Sequence, residues 1–461
     1  MGEEIDAPLV PLAGTLPEGL DGVMWRNGPG RSERGGVRYG HPFDGDGFIV
    51  RFDLRPGGSR VRSRFVKTPE FLAEERANKI LYRGFGTQRP GGFAANALRM
   101  NFKNVANTAV MWHAGRLHAL WEGGLPTRVD PTTLETLGRD DLGGVLRGGL
   151  TPATFSAHPS RDDATGTMYN FGLRWGLGQT LFIYATGADG STRVERSLAL
   201  DRLTFIHDFL LTPRWFVFLL PAVRFDVVRM ALGLTTPVAG LRGDSSTAMT
   251  ALLVPRDGGA PVAIKTVPGF AFHLAGAFEQ ANGHVVCDLM LLDRVPDLDH
   301  LDELFEPGGD TGCALPVRLV LDPSTRVMVG ATQLDDTATE LPITADADGR
   351  AYRSFWATAA SPQRRQPYHS ALVRIEPGRG VVARLEMFPA LPSEPCFVRR
   401  PNARHPEDGW LLTICHHPGA ASELWILDAE TLAVEARLGI PTALPIGLHG
   451  CWAARAEAGA A

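Results

Sequence analysis

Cysteine is scarce in this chain: five in 461 residues, at positions 287, 313, 396, 415 and 451. The number is odd and no two stand as C-x-x-C, which excludes a disulfide framework and a thiolate zinc site. The thiols read as reduced, mostly within strands. A block of basic residues is missing too. With 46 Lys+Arg against 51 Asp+Glu the net charge is −5, and nothing clusters the cations that phosphate contacts need, so no nucleic-acid partner is expected. No apolar run reaches the roughly 18 residues of a membrane-spanning helix. The acidic opening Met1-Gly-Glu-Glu-Ile-Asp6 has no apolar signal core, so a cytoplasmic protein is expected. Long helical periodicity is absent, which argues against doubly wound or barrel α/β folds.

Turn formers and apolar residues are abundant together: 52 Gly, 34 Pro and 44% hydrophobic residues. That mixture suits many short strands joined by tight turns, and an all-β fold in a single domain over residues 1–461 is expected. Residues 23–29 (Val-Met-Trp-Arg-Asn-Gly-Pro) read as a strand entering a turn, and His41-Pro-Phe-Asp-Gly-Asp-Gly47 as a tight turn before a strand over 48–54. Asp44-x-Asp46-Gly resembles half a calcium loop, but the spacing stops there and no Glu closes it, so it reads as a turn. Residues 69–79 are the best helix in the first half, extendable to Arg83 before Gly84-Phe85-Gly86 ends it.

A degenerate repeat runs through the chain. Residues 115–122 lead into 127–138, and the pattern returns at 317–325 and 423–432, with a shorter echo at 372–378. An alternating strand ends in Asp-Pro/Ala-x-Thr, whose acid can hold backbone N–H groups while the chain reverses. Strand–turn–strand units over a whole chain point to a β-propeller. The segment from Trp215 to Leu234 departs from this rhythm. It starts as a strand, then carries apolar residues at 223, 227, 230 and 234 opposite Arg224, Asp226 and Arg229, an amphipathic helical pattern. It reads either as a helix packed on the rim or as an apolar patch that meets a membrane or frames a tunnel mouth.

Four histidines share one setting. His158, His207, His273 and His449 each lie beside small or apolar residues where a hydrophobic run meets a turn, most clearly in Phe270-Ala-Phe-His-Leu-Ala-Gly-Ala-Phe-Glu279. A lone histidine of this kind is more often a satisfied core residue than a ligand. Four suggest one centre. Their spacings of 49, 66 and 176 residues exclude a local helix-borne zinc pair, and a propeller axis is a place where one ligand per blade can converge. Four neutral imidazoles with no carboxylate suit a divalent ion such as Fe(II) with positions left open. Ligating imidazoles donate their other N–H to an acceptor, and Glu122, Glu340 and Glu394 stand among apolar residues where glutamate is seldom placed unless paired. The remaining histidines (113, 118, 284, 300, 369, 405, 416 and 417) read as turn or polar residues, with His41 the least settled.

On these residues the chain resembles the carotenoid cleavage oxygenase family. The likeness runs from Arg26-Asn-Gly-Pro29 and His41-Pro-Phe-Asp-Gly-Asp-Gly47 to Gly447-Leu-His449-Gly450. Within the family it is most similar to the cyanobacterial apocarotenoid-cleaving, retinal-forming members, on Phe85-Gly-Thr-Gln-Arg-Pro-Gly-Gly92, Lys103-Asn-Val-Ala-Asn-Thr108 and Ala119-Leu-Trp-Glu-Gly-Gly-Leu-Pro126. The resemblance implies a seven-bladed propeller with a loop and short-helix cap over an axial non-haem Fe(II). It implies His158, His207, His273 and His449 as ligands, and Glu122, Glu340 and Glu394 behind them. It places Thr108 at the open iron position, Phe43, Phe85, Trp121 and Phe272 along a substrate tunnel, and the Trp215–Leu234 segment against a membrane.

The implied reaction takes O2 and an apolar polyene, a carotenoid or apocarotenoid, and splits one conjugated double bond into two aldehydes. Stilbene-cleaving relatives tend to carry a Lys before the first glutamate and a Tyr upstream, whereas this chain has Trp121 and Phe85. Leu341 stands after Glu340 where an aromatic residue is common. The alternatives are a stilbenoid-cleaving dioxygenase of the same fold, a retinoid isomerase, and an inactive propeller scaffold, which would have lost at least one ligand or glutamate.

Overall fold

The computed structural model describes residues 2–148, 153–175, 178–295, 313–345, 349–361 and 369–458. In it the strand-forming runs pair antiparallel with their neighbours in sequence and wind into a seven-bladed β-propeller. Blades two to six are meanders written consecutively. They begin at Ala109–His113, Ser160–Asp162, Leu210–Leu211, Leu274–Glu279 and Thr339–Ile343, and each first strand is the innermost. Blades three to six touch first strand to first strand.

The first and last blades are completed by distant parts of the chain. Gly450–Ala454 pairs with Gly22–Pro29, Arg26 opposite Gly450, and becomes the inner strand of the first blade. Val10–Gly14 pairs with Val434–Gly439, Val10 opposite Gly439, at the outer edge of the seventh. The double exchange closes the ring. The strand expected over 48–54 forms as Gly47–Leu54 and is buried along its whole length, because it lies in the middle of the first blade with both faces covered.

The Asp-x-x-Thr reversals form as the repeat requires. Asp130, Asp322 and Asp428 accept backbone N–H bonds of 2.7–2.9 Å from residues two or three further on. Four residues after each acid the chain turns left-handed, with φ of 63° at Leu134, 61° at Arg326 and 60° at Leu432. That conformation costs a residue with a Cβ about 1–2 kcal/mol, which the carboxylate's bonds offset. Asp44 and Asp46 are indeed turn residues, and each spends its carboxylate on protein donors. Asp44 accepts from Phe85 N, Gly86 N and the Thr87 hydroxyl at 2.6–2.9 Å; Asp46 pairs with Arg34 at 2.7 Å and Lys103 at 2.6 Å.

Two helical expectations need correction. Pro69–Ala77 is capped by the Thr68 hydroxyl, which accepts from Phe71 N at 3.1 Å, and it stops at Asn78, whose φ is 47°. It never approaches Arg83, because the Glu74 carboxylate then accepts from Leu81 N and Tyr82 N and pins the chain outside the helix. The 222–234 amphipathic pattern is not one helix. After the strand Trp215–Leu220, Val223–Phe225 pairs with Leu241–Gly243, and only Val227–Ala231 is helical, capped by Asp226. The ribbon wins because Val223 is buried in the cluster with Val238 and Phe270.

These loops make one cap. Gly47 N donates to Val105 O, Asn107 Nδ2 donates to the carbonyls of Phe43 and Gly45, and Val238 N donates to Phe85 O. Phe85 and Phe225 from the cap pack into the same apolar cluster as Phe205 and Phe272.

Candidate metal centre

Reading inward along each blade, a polar residue stands in or just before the inner strand of every blade. His449 precedes the inner strand of the first blade, Thr108 that of the second, and His158, His207 and His273 those of the third, fourth and fifth. Glu340 lies in the inner strand of the sixth, and Glu394 between the two short inner strands of the seventh, Leu391–Pro392 and Cys396–Arg399. Glu122 stands just past Arg116–Leu120, the second strand of its blade.

The four histidines meet. One ring nitrogen from each lies within 4.8 Å of all the others. His158 Nε2 and His207 Nε2 are 3.0 Å apart, and His207 Nε2 and His273 Nε2 3.2 Å apart. On the opposite side of the rings the glutamates take the protons: His273 Nδ1 donates to Glu340 Oε2 at 2.5 Å and His449 Nδ1 to Glu394 Oε1 at 2.8 Å. Glu122 Oε1 comes within 2.5 Å of His207 Nδ1, but off the N–H axis, so this is a charge contact and not a straight hydrogen bond. Where Nδ1 carries the proton, Nε2 presents a bare lone pair.

Lone pairs aimed at one another across 3 Å repel, and a cation between them reverses the sign. A metal–nitrogen bond of about 2.1 Å places neighbouring donors about 3.0 Å apart at right angles and about 3.4 Å apart at tetrahedral angles. The observed 3.0 and 3.2 Å fall within that range. Four neutral imidazole donors suit a borderline divalent transition-metal ion.

Four imidazoles this close cannot all charge. Burial, aided by the three neighbouring rings, pushes His158 well below its ordinary value. Burial also lowers His449, despite Glu394. Burial opposes protonation of His273 as well, but Glu340, with Asp208 and Glu394 behind it, wins and raises it to about 9. Glu340 is correspondingly held below the usual range: burial works against its charge, and His273 outweighs burial. The glutamates are arranged to favour positive charge at the centre.

Several partners were not singled out from the sequence. Arg26 is fully buried and grips Glu394, Nη1 on the carboxylate at 2.5 Å and Nη2 on the carbonyl. It was visible only as part of a motif. Leu341, at φ 53°, directs its N–H to the Glu340 carboxylate at 2.9 Å, while the strand register shifts just beyond. The strained turn aims Glu340 at His273. Asp208, beside His207, accepts from Leu274 N at 2.9 Å and lies 3.8 Å from His158 Nδ1; burial lifts its carboxyl to about 6.

The aromatic expectations distribute unevenly. Phe272 packs edge-on against His207, ring centres 5.5 Å apart, and Phe205, unanticipated, stacks on the same ring at 6.2 Å. Phe85 and Phe43 lie one layer out, both against the His41 ring. Trp121 bridges to Phe155, and its indole covers Gly123 and Gly124 so closely that a Cβ at Gly123 would come within 2.6 Å of it. Thr108 is tied to the centre through its carbonyl, which accepts from His449 N at 3.2 Å.

Among the other histidines, His113 and His118 flank the Ala114-Gly115 turn and His284 follows Asn282-Gly283 as expected. His300 lies outside the described residues. His41 Nδ1 accepts from Phe43 N and caps the turn. His416 and His369 depart from the polar-turn reading. His416 is a buried strand end, and His369 opens the third strand of the sixth blade with its Nδ1 on Thr358, whose hydroxyl donates to Glu340 O.

Residues 1–454 match the model of the family described as retinal pigment epithelial membrane protein. The chain is 33% identical to apocarotenoid-15,15'-oxygenase of Synechocystis over 98% of this chain and 94% of that protein. It is 27% identical to resveratrol cleavage oxygenase 1 of Aspergillus fumigatus (97% and 93% covered) and 28% to isoeugenol monooxygenase of Pseudomonas putida (96% and 93%). A mutant of Synechocystis ACO superposes with a TM-score of 0.91 at 31% identity, covering 98% of this chain and 96% of that one. The cobalt-substituted form of the Synechocystis protein gives 0.90 at the same identity and coverage.

Proposed function

Because the chain belongs to the retinal pigment epithelial membrane protein family, which holds the carotenoid cleavage oxygenases, we propose that it is an Fe(II) dioxygenase that splits one conjugated double bond of a carotenoid or apocarotenoid into two aldehydes, retinal-like if the cut is central. The observation that carries this reading is the convergence of four imidazole nitrogens with carboxylates facing the outer nitrogens of three of them. His158, His207, His273 and His449 would hold the metal. Iron bound there supplies the capture and activation of dioxygen.

The chain's own residues do the rest. Glu340 and Glu394 hold the Nδ1 protons of His273 and His449 in place, and Glu122 lies against His207, so that the rings are oriented. Thr108 borders the centre from the second blade. Phe205 and Phe272 make the wall beside His207 apolar, and Phe43, Phe85 and Trp121 continue it outward, so shape and stacking position a polyene that offers no hydrogen bonds. The same wall excludes water. No acid or base is needed, since both oxygen atoms of O2 end in the two carbonyls.

The cap carries an apolar patch. Phe93, Leu98, Val228 and Leu234 are exposed, Leu98 and Val228 by 80% and 70%, and Leu98 N bonded to Ala231 O at 2.7 Å joins the two loops. Among the described residues no helix is long and apolar enough to cross a membrane. The patch suits peripheral contact with a bilayer from which an apolar substrate could enter. Stilbenoid cleavage is the weaker reading, because Trp121 and Phe85 offer a phenol neither an ammonium nor a hydroxyl partner.

The test is chromatography of products from a panel of apocarotenoids and stilbenes, using iron-loaded protein and labelled dioxygen. Two labelled aldehydes from an apocarotenoid are expected. Uncleaved, isomerised products would point to the isomerase alternative.

A further inference from the structure

Three of the four histidines have a glutamate at the outer nitrogen, and the fourth does not. Asp208 Oδ1 is 3.8 Å from His158 Nδ1, and among the described residues it is the carboxylate that reaches that side of the ring. The gap is too long for a hydrogen bond, yet the carboxylate is otherwise fully engaged. Oδ1 accepts from Phe209 N at 2.7 Å and Oδ2 from Leu274 N at 2.9 Å. Leu274 directly follows His273, and Asp208 directly follows His207. One side chain therefore touches the segments that carry three of the four donors, from three successive blades.

We propose that Asp208 is a positioning residue of the metal centre, the counterpart for His158 of the three glutamates, and the tie that fixes His207 and His273 relative to it. The inference rests on the metal reading of the four imidazoles. Loss of its charge frees the His158 ring to turn and removes an acceptor from the Leu274 amide, so the donor set loosens without the blades coming apart. Orienting carboxylates of this kind are worth about 10–100-fold in metal affinity.

Full-length protein and Asp208→Asn, both stripped of metal, are titrated with cobalt(II), reading affinity and the visible absorption of the bound ion. Circular dichroism and thermal midpoints of the metal-free proteins report the fold. The expected result is an affinity about 10–100-fold weaker in Asp208→Asn, with an altered cobalt spectrum, a loss similar to that of Glu394→Gln, and an unchanged fold. Wild-type affinity and spectrum in the variant overturn the proposal and leave the metal reading standing. Failure of the unsubstituted protein to take up cobalt overturns both. Should Asp208→Asn not fold, Asp208→Glu keeps the charge at a different reach; a changed cobalt spectrum supports the assignment and a wild-type one overturns it.

Discussion

The axis and the cap of this propeller are held in opposite ways. At the axis, the four imidazoles arrive from four different blades, and carboxylates hydrogen-bonded to the outer nitrogens of His273 and His449 help to fix them. In the cap, two loops with exposed apolar side chains are joined by the Leu98 N–Ala231 O bond and by one buried guanidinium. Arg83 donates to the carbonyls of Arg99, Met230 and Thr235 at 2.8–2.9 Å and lies over the Phe102 ring at 5.2 Å. No carboxylate pairs with it among the described residues. The first arrangement is stiff and distributed over the ring. The second rests on few bonds, chiefly those of one side chain, which makes it the easier of the two to open.

The most severe way to break the axis is His207→Ala, expected to abolish metal uptake and cleavage while the purified protein stays folded; elemental analysis and circular dichroism check it. Unchanged iron content would remove His207 from the ligand set. Next is Arg83→Met, which strands three carbonyls at a cost on the order of 1–3 kcal/mol each where water cannot reach them. Amide exchange should quicken in residues 92–102 and 227–236 and iron content should hold. Loss of iron as well would show that the two regions are not independent. Trp121→Lys sits between them. It should shift the ratio of kcat/KM toward phenolic stilbenes by about tenfold, since placing one cation against a phenol is worth about 1–2 kcal/mol. No gain would count against Trp121 as a wall of the tunnel. Smallest is Leu232→Glu, expected to weaken liposome binding by about 1–2 kcal/mol with cleavage of short soluble substrates unchanged. Equal partitioning of both proteins into liposomes would end the membrane role of the patch.

The axis was more legible in the sequence than the cap, and the contrast explains why. Histidine among phenylalanines and alanines is a chemical anomaly that shows in one dimension, as at Phe272-His273, and so is Glu340 between Thr and Leu. The Asp-x-x-Thr turns were legible for the same reason, because a local hydrogen-bond pattern writes its own motif. Arg26 and Asp208 were passed over because an arginine in a turn motif and an aspartate after a histidine look ordinary until a distant blade supplies Glu394 or Leu274. The 222–234 segment misled because its helical spacing was real, but Val223 found a better partner in the ribbon with Leu241–Gly243 than in the next helical turn. Asn78 likewise ended a helix that composition alone would have let run.

His449 reaches the axis only through the pairing of Gly450–Ala454 with Gly22–Pro29, which is also the clasp of the ring. A polypeptide emerging from the ribosome therefore assembles six blades and three donors before it owns the fourth. On the proposed metal reading, the full set of four imidazoles exists only once the circle shuts. A chain ending before residue 449 would keep three of the four imidazoles and lose the strand that closes the ring.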